Sequence, residues 1–242
     1  SASESKDCLS VANRHFENIT IDLIYGVPNM SIDKWTENLQ IALDFGVNHI
    51  SSYALTVEPK TALDVFIKSG KLPPLDEQLA SDHFDILVEE TKKNGFVHYE
   101  ISNFGKPDFF SKHNTSYWQG KQYLGVGPSA HSFKGKERSW NVSNNAKYIK
   151  SIQDKILPRE VEKLSLNDQF NEYIMTGLRT IWGVSLEKVR QEYGETYKLH
   201  LLNEVEGYQR MGLLEINNNI VIATQKGKFL VDGIASELFM ID

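Results

Sequence analysis

Asn18-Ile19-Thr20-Ile21-Asp22-Leu23-Ile24-Tyr25-Gly26-Val27-Pro28 is the stretch on which the fold assignment rests. Ile19, Ile21 and Leu23 alternate along it, and the run is too short for an amphipathic helix, so it reads as a strand. Gly26 and Pro28 end it, because Pro28 lacks the N–H that a ladder needs and Gly26 permits a sharp exit. Within the run sits one carboxylate, Asp22. A carboxylate among apolar neighbours needs a partner. Two readings follow: Asp22 is tied to loop amides or a cation, or it meets a ligand at the carboxyl end of a parallel strand, where α/β enzymes place their sites.

Downstream the pattern repeats. Ser31 can cap a helix with Ile32, Trp35, Leu39 and Ala42/Leu43 on one face, ended by Gly46. His49–Leu55 is a second strand, and a short helix near 61–68 follows. Asp76 opens a long helix with Leu79, His83 and Ile86/Leu87 on one stripe, closed by Gly95, and 96–101 is a third strand. Upstream, 7–17 reads as the tail of a helix. Strand, helix, strand, helix, strand implies right-handed βαβ units and a parallel sheet, with too few strands to close a barrel.

The segment 113–132 is rich in aromatic and polar residues. Gly125 and Gly127 let the backbone approach something closely, either a packed strand or a ligand, but the spacing is not that of a dinucleotide loop. From about 143 the pattern turns helical: one helix from Asn167-Asp168, another capped by Ser185 and ended by Gly194, and a third running to Met211. Leu213–Ile216 and Ile220–Ile222 form an expected hairpin across Asn217-Asn218-Asn219, with a last helix over 224–239. Three helices, a hairpin and a helix suggest a winged-helix-like module. The expected domains are therefore 1–142 and 143–242.

Composition narrows the function. A net charge of −6 and a pI near 5.7 argue against a general nucleic-acid binder. The single Cys8 excludes a disulfide framework or a cysteine cluster built from these residues alone. No apolar run approaches a membrane span, so a soluble, cytoplasmic protein is expected. A start at Ser1, with a strand following so soon, is the pattern expected of a fragment.

Five ordered motifs resemble one family: Ile-Asp-Leu-Ile-Tyr-Gly-Val-Pro at 21–28, Ile-Ser-Ser-Tyr-Ala-Leu at 50–55, Tyr-Glu-Ile-Ser-Asn-Phe at 99–104, His-Asn-Thr-Ser-Tyr-Trp at 113–118 and Tyr-Leu-Gly-Val-Gly-Pro-Ser-Ala-His-Ser at 123–132. They are similar to the radical S-adenosylmethionine proteins related to oxygen-independent coproporphyrinogen III oxidase, nearest to the HemW haem-chaperone branch. The likeness extends to Lys-Gly-Lys-Phe-Leu-Val-Asp at 226–232. The family's Cys-x-x-x-Cys-x-x-Cys, which holds a [4Fe–4S] cluster, is absent, as is its glycine-rich methionine-binding segment. The resemblance therefore implies a C-terminal portion: late strands of a partial (β/α) barrel of the TIM type, then a mostly helical domain. It implies that Asp22 contacts the ribose hydroxyls of S-adenosylmethionine, that Tyr53 and Ala54 line the same pocket near the adenine, and that His131 contacts the nucleotide. It implies haem or a porphyrinogen as partner, and an oxidase as the alternative to the chaperone.

Other features carry less. No two histidines stand at i, i+4 with a supporting carboxylate. His15, His49, His83 and His200 read as structural or solvated, whereas His98, His113 and His131 are the ones expected to face the site. A winged-helix module can read DNA, but its third helix sets Glu195, Glu204 and Glu206 against Lys198 and Arg210, a poor match for phosphates. The strand holding Asp22 is expected to present an open edge, leading to self-association or to coverage by residues 1–17.

Overall fold

The computed structural model describes residues 1–241 and contains two compact units, Ser1–Ser111 and the chain from Lys112 onward. The first unit runs α1 (Ala2–His15), β1 (Thr20–Tyr25), α2 (Ile32–Asp44), β2 (His49–Ala54), α3 (Ala62–Lys68), α4 (Glu77–Lys93), β3 (Val97–Glu100) and β4 (Asn103–Gly105). The expected caps are present. The Ser31 hydroxyl accepts from Lys34 N at 3.2 Å and the Asp76 carboxylate from Leu79 N at 3.0 Å, each satisfying a donor that the first helical turn leaves open. Gly46 and Gly95 close α2 and α4 at φ values of 71° and 80°, a region in which a Cβ is strained.

Strand alternation then divides the sheet into two faces. Ile21, Leu23 and Tyr25 of β1, Ile50 of β2 and Phe104 of β4 pack with Trp35 and Leu39 of α2 and Phe84 and Leu87 of α4. Each such large side chain contributes about 1.5–3 kcal/mol when fully buried, so this layer fixes the register of β1 and β2. A one-residue slip would turn it outward. Trp35 adds a directional lock, its Nε1 donating to the His83 carbonyl at 2.8 Å. Thr20, Asp22 and Ile24 occupy the face away from these helices.

The sheet order is β1-β2-β4-β3, with β1 and β2 parallel. The third strand does not pair with the second, contrary to the simple βαβ reading. A three-residue strand, β4, lies between them, antiparallel to both. β3 reaches it through Ile101 and Ser102 alone, and a register shift between His98 and Glu100 opens the ladder there. A bulge of this kind bends a strand and re-aims its side chains. Helix α1 buries none of its residues; its Asn13 Nδ2 donates to Phe45 O at 2.5 Å.

The second unit runs α5 (Lys112–Trp118), β5 (His131–Lys134), β6 (Glu137–Asn141), α6 (Asn145–Gln153), β7 (Arg159–Lys163), α7 (Leu166–Leu178), β8 (Val184–Ser185), α8 (Leu186–Glu192), α9 (Glu195–Arg210), β9 (Leu214–Asn217), β10 (Ile220–Ala223), α10 (Gln225–Lys228) and α11 (Val231–Glu237). Helix, short strand, two helices and a hairpin, with β8-β10-β9 forming one sheet, is the order of a winged helix. The hairpin turns at Asn218 and Asn219, both left-handed at 51° and 63°, as a type I′ turn needs. Phe170, Ile174 and Leu178 of α7, with Val189, Leu201 and Val205 of α8 and α9, form the buried centre.

Details of this unit go beyond the sequence reading. A strand that the sequence did not announce, β7, pairs antiparallel with β6 along Arg159–Lys163. That pairing ties 131–141 to the following chain, and the expected boundary at 142/143 falls inside the second compact unit. The last helix is two short ones, broken at Phe229 and Leu230. Gly125 lies against its own chain. A Cβ there would sit 2.2 Å from the His131 carbonyl oxygen, and Gly125 N donates to Ser132 Oγ at 2.9 Å.

Candidate functional site

Asp22 stands in the middle of β1 on the face away from α2 and α4, with Ser51 as its register partner on β2. Its carboxylate is exposed, and among the described residues no donor reaches it. Of the two readings of this residue, a carboxylate tied to loop amides or a cation has no counterpart here. Ile24 partners Tyr53 two residues along the same face, and Tyr53 is 44 % exposed. An acceptor-only group beside an exposed aromatic ring can take a diol and a flat ring together.

Ala54 partners Tyr25, so alternation directs its Cβ to the other side of the sheet. Only its backbone lies along the Asp22–Tyr53 face. His131 belongs to the second unit, exposed on β5, its ring centroid 6.1 Å from that of Trp140.

Beside Asp22, on the same face of the sheet, lie two polar relays that the sequence reading did not anticipate. In the first, His49 Nδ1 is 2.7 Å from Thr20 Oγ1 and Nε2 is 2.7 Å from the Tyr99 hydroxyl, which accepts from Ser111 N at 3.1 Å. Burial pulls the His49 pKa below its ordinary value, with Asp22 opposing. Burial also lifts the Tyr99 hydroxyl to about 12. Both groups are therefore neutral near pH 7. In the second, Ser51 Oγ donates to Asn103 Oδ1 at 3.1 Å, and Asn103 Nδ2 donates to Glu100 Oε2 at 2.5 Å. Ser102 N donates to the same oxygen at 3.0 Å. All three side chains are buried. The available signal was the alternation of His49, Ser51 and Tyr53 within a strand whose other face carries Ile50.

The remaining histidines divide by packing. His83 is buried, accepting from Gly26 N at 3.1 Å, and so pins the exit of β1. His98 stacks on Phe104 with centroids 4.2 Å apart and bonds through Nε2 to Ile101 O at 3.0 Å. His113 is exposed on α5, edge-on to Tyr117 at 4.8 Å.

The second unit also holds an open cleft of about 730 Å³, with Tyr117, Trp118, Tyr123, Phe133, Tyr173 and Tyr193 among its walls. Arg138 pairs there with Glu172, whose pKa burial raises against the pull of the guanidinium. Trp118 Nε1 is buried with no acceptor among the described residues. Lys188 Nζ lies 4.3 Å from the Tyr173 ring centroid, a cation–π distance.

Neither unit offers a metal centre: among the described residues no three His, Cys, Asp or Glu side chains are grouped to hold an ion. Cys8 is exposed. No helix among the described residues is long and apolar enough to cross a membrane.

Comparison with known proteins agrees with this architecture. Residues 164–230 match the family model of the HemN C-terminal domain. The chain is 33% identical over 218 residues to the heme chaperone HemW of Bacillus subtilis (strain 168), covering 89% of this chain and 57% of that protein. It is 31% identical over 228 residues to heme chaperone HemW of Lactococcus lactis, covering 94% of the chain and 59% of the relative. It is also 30% identical over 267 residues to a mitochondrial radical S-adenosyl methionine domain-containing protein 1 of Dictyostelium discoideum, covering 97% and 60%. The chain thus spans a little over half the length of the curated relatives it matches. Among solved structures, coproporphyrinogen III oxidase (HemN) from Escherichia coli, a radical SAM enzyme, superposes with a TM-score of 0.78 at 18% identity, over 99% of this chain and 59% of that one. That likeness establishes the fold. By its HemN C-terminal domain, its HemW relatives and its fold, the chain is similar to the HemN and HemW radical S-adenosylmethionine proteins and corresponds to their C-terminal portion.

Proposed function

We propose that this chain supplies part of the nucleotide face, and the C-terminal domain, of a HemW-type haem chaperone. The observation that carries the reading is Asp22: an exposed carboxylate with no donor among the described residues, on the face of a parallel strand pair away from α2 and α4, next to exposed Tyr53. Such a group fits the two hydroxyls of a ribose, and the Tyr53 ring fits an adenine beside it. Ala54 takes part through its backbone. The family resemblance assigns a nucleotide contact to His131 as well, which is exposed on β5 of the second unit. S-adenosylmethionine supplies radical chemistry when bound together with a cluster. The residues present do not fit the cluster itself, since Cys8 is the chain's one cysteine.

Haem is the second ligand in the proposal. His113 and His131 are exposed imidazoles able to meet an iron, and the aromatic cleft beside Tyr117 and Trp118 has room for a flat macrocycle. The rival reading is decarboxylation of a porphyrinogen. The protein with its cluster segment, reconstituted without oxygen and given coproporphyrinogen and S-adenosylmethionine, separates the two. Tight haem binding without turnover supports the chaperone; formation of a decarboxylated product refutes it. A duplex reader is disfavoured, because α9 pairs its bases internally, Arg210 with Glu206 at 3.2 Å and Lys198 with Glu195 at 3.9 Å.

A further inference from the structure

We infer that Glu100, acting through Asn103 and Ser51, is a positioning residue that keeps the Asp22 carboxylate open to a vicinal diol. The inference rests on the reading of Asp22 as a ribose contact. Glu100 Oε2 accepts from Ser102 N at 3.0 Å and so faces Asn103 as an acceptor, which turns the donor end of the Asn103 amide toward it: Nδ2 donates to Glu100 Oε2 at 2.5 Å. The other end, Oδ1, is then presented to Ser51, whose hydroxyl donates to it at 3.1 Å. A serine has one O–H, and here it is committed.

Ser51 is the register partner of Asp22, and adjacent strands lie about 4.8 Å apart, so its hydroxyl is within reach of that carboxylate. Were the O–H free, it would turn to the charged acceptor, because hydrogen bonds to ionised groups are the stronger ones. The relay prevents this and leaves Ser51 offering Asp22 only lone pairs. The consequence is visible: among the described residues no donor occupies Asp22. Nor is the trio explained by packing of the hydrophobic layer. Ser51 and Asn103 are register partners on the face opposite Ile50 and Phe104, and burying three polar side chains is costly unless each bond is made. The bulge at His98/Glu100, together with Ser102 N on the same oxygen, fixes Glu100 for the task.

The test is calorimetric titration of S-adenosylmethionine into the protein carrying its cluster segment. Glu100→Leu removes the acceptor that orients the Asn103 amide, so the amide can flip and free the Ser51 hydroxyl to compete for Asp22, and affinity is expected to fall about tenfold. Ser51→Ala alone leaves affinity near wild type, and the double variant Glu100→Leu/Ser51→Ala recovers it, which a loss of folding would not allow. Should Glu100→Leu not fold, Asn103→Ala releases the same hydroxyl and is rescued by the same Ser51→Ala. Unchanged affinity in the single variant, or no recovery in the double, overturns the inference. Asp22→Asn separates the two levels: if it does not weaken binding, the reading of Asp22 fails as well; if it does while the Glu100 series is flat, only the relay fails.

Discussion

Two neighbouring glycines should respond in opposite directions to the same substitution. Helix propensity alone favours alanine at both, by about 0.5–1 kcal/mol. At Gly233, in α11, a Cβ meets nothing within 4 Å, so Gly233→Ala is expected to stabilise by about that amount. At Gly227, in α10, a Cβ would lie 2.0 Å from the Leu213 carbonyl oxygen and 2.9 Å from its carbon. That oxygen is already the acceptor for Thr224 N at 3.0 Å and Thr224 Oγ1 at 3.2 Å, at the helix cap. Making room displaces backbone and disturbs the cap. Overpacking of this kind costs about 1–3 kcal/mol and a lost cap about 1 kcal/mol. The sum outweighs the propensity gain, and Gly227→Ala should destabilise by about 2–3 kcal/mol. Urea unfolding followed by circular dichroism measures both variants against wild type. A Gly227→Ala protein as stable as wild type would refute the close approach of α10 to the start of the hairpin.

Other outcomes follow from the buried titratable groups and the strand edge. Burial depresses the His49 pKa, so the unfolded state takes up a proton first as pH falls through about 6.5; stability measured from pH 7 to 5 should drop, and His49→Asn should flatten that slope. Lys228 is held at about 8 by burial, so between pH 8 and roughly 10 the unfolded state binds the extra proton. Stability of wild type relative to Lys228→Met should therefore rise across that window, and a flat difference would contradict the burial of its ammonium. β1 is the outer strand of its sheet, with Ile24 52 % exposed. Light scattering of this chain across a dilution series is expected to show association, weakened by Ile24→Lys; a monomer at all concentrations would refute it.

Much of the fold could be read from periodicity, because the apolar positions of β1, β2, α2 and α4 all answer to one core. Ser31, Asp76, Ser185 and the asparagine turn were equally plain, since each meets a local backbone need. What escaped is what local pattern does not encode. Arg159-Glu160-Val161-Glu162-Lys163 has no buried face and becomes a strand only because β6 offers it a ladder. Asn103-Phe104-Gly105 is too short to show a period, yet it separates β2 from β3. Gly125 announced a close approach, but not that its partner is the carbonyl of His131 six residues on. At the candidate site, Asp22 stood out as a charge within an apolar run. The Glu100–Asn103–Ser51 relay did not, because it joins three strands through a bulge that has no sequence signature.

In the proposed site Asp22 meets the ribose of S-adenosylmethionine. The most direct measurement is the dissociation constant of S-adenosylmethionine for the protein carrying its cluster segment, for wild type and Asp22→Asn under anaerobic conditions, alongside a nucleoside analogue lacking both ribose hydroxyls. Loss of charge-assisted hydrogen bonds predicts weakening of about tenfold or more for Asp22→Asn, with wild type and variant binding the hydroxyl-free analogue alike. Equal affinity of the two proteins for S-adenosylmethionine itself would mean that Asp22 does not hold the ribose.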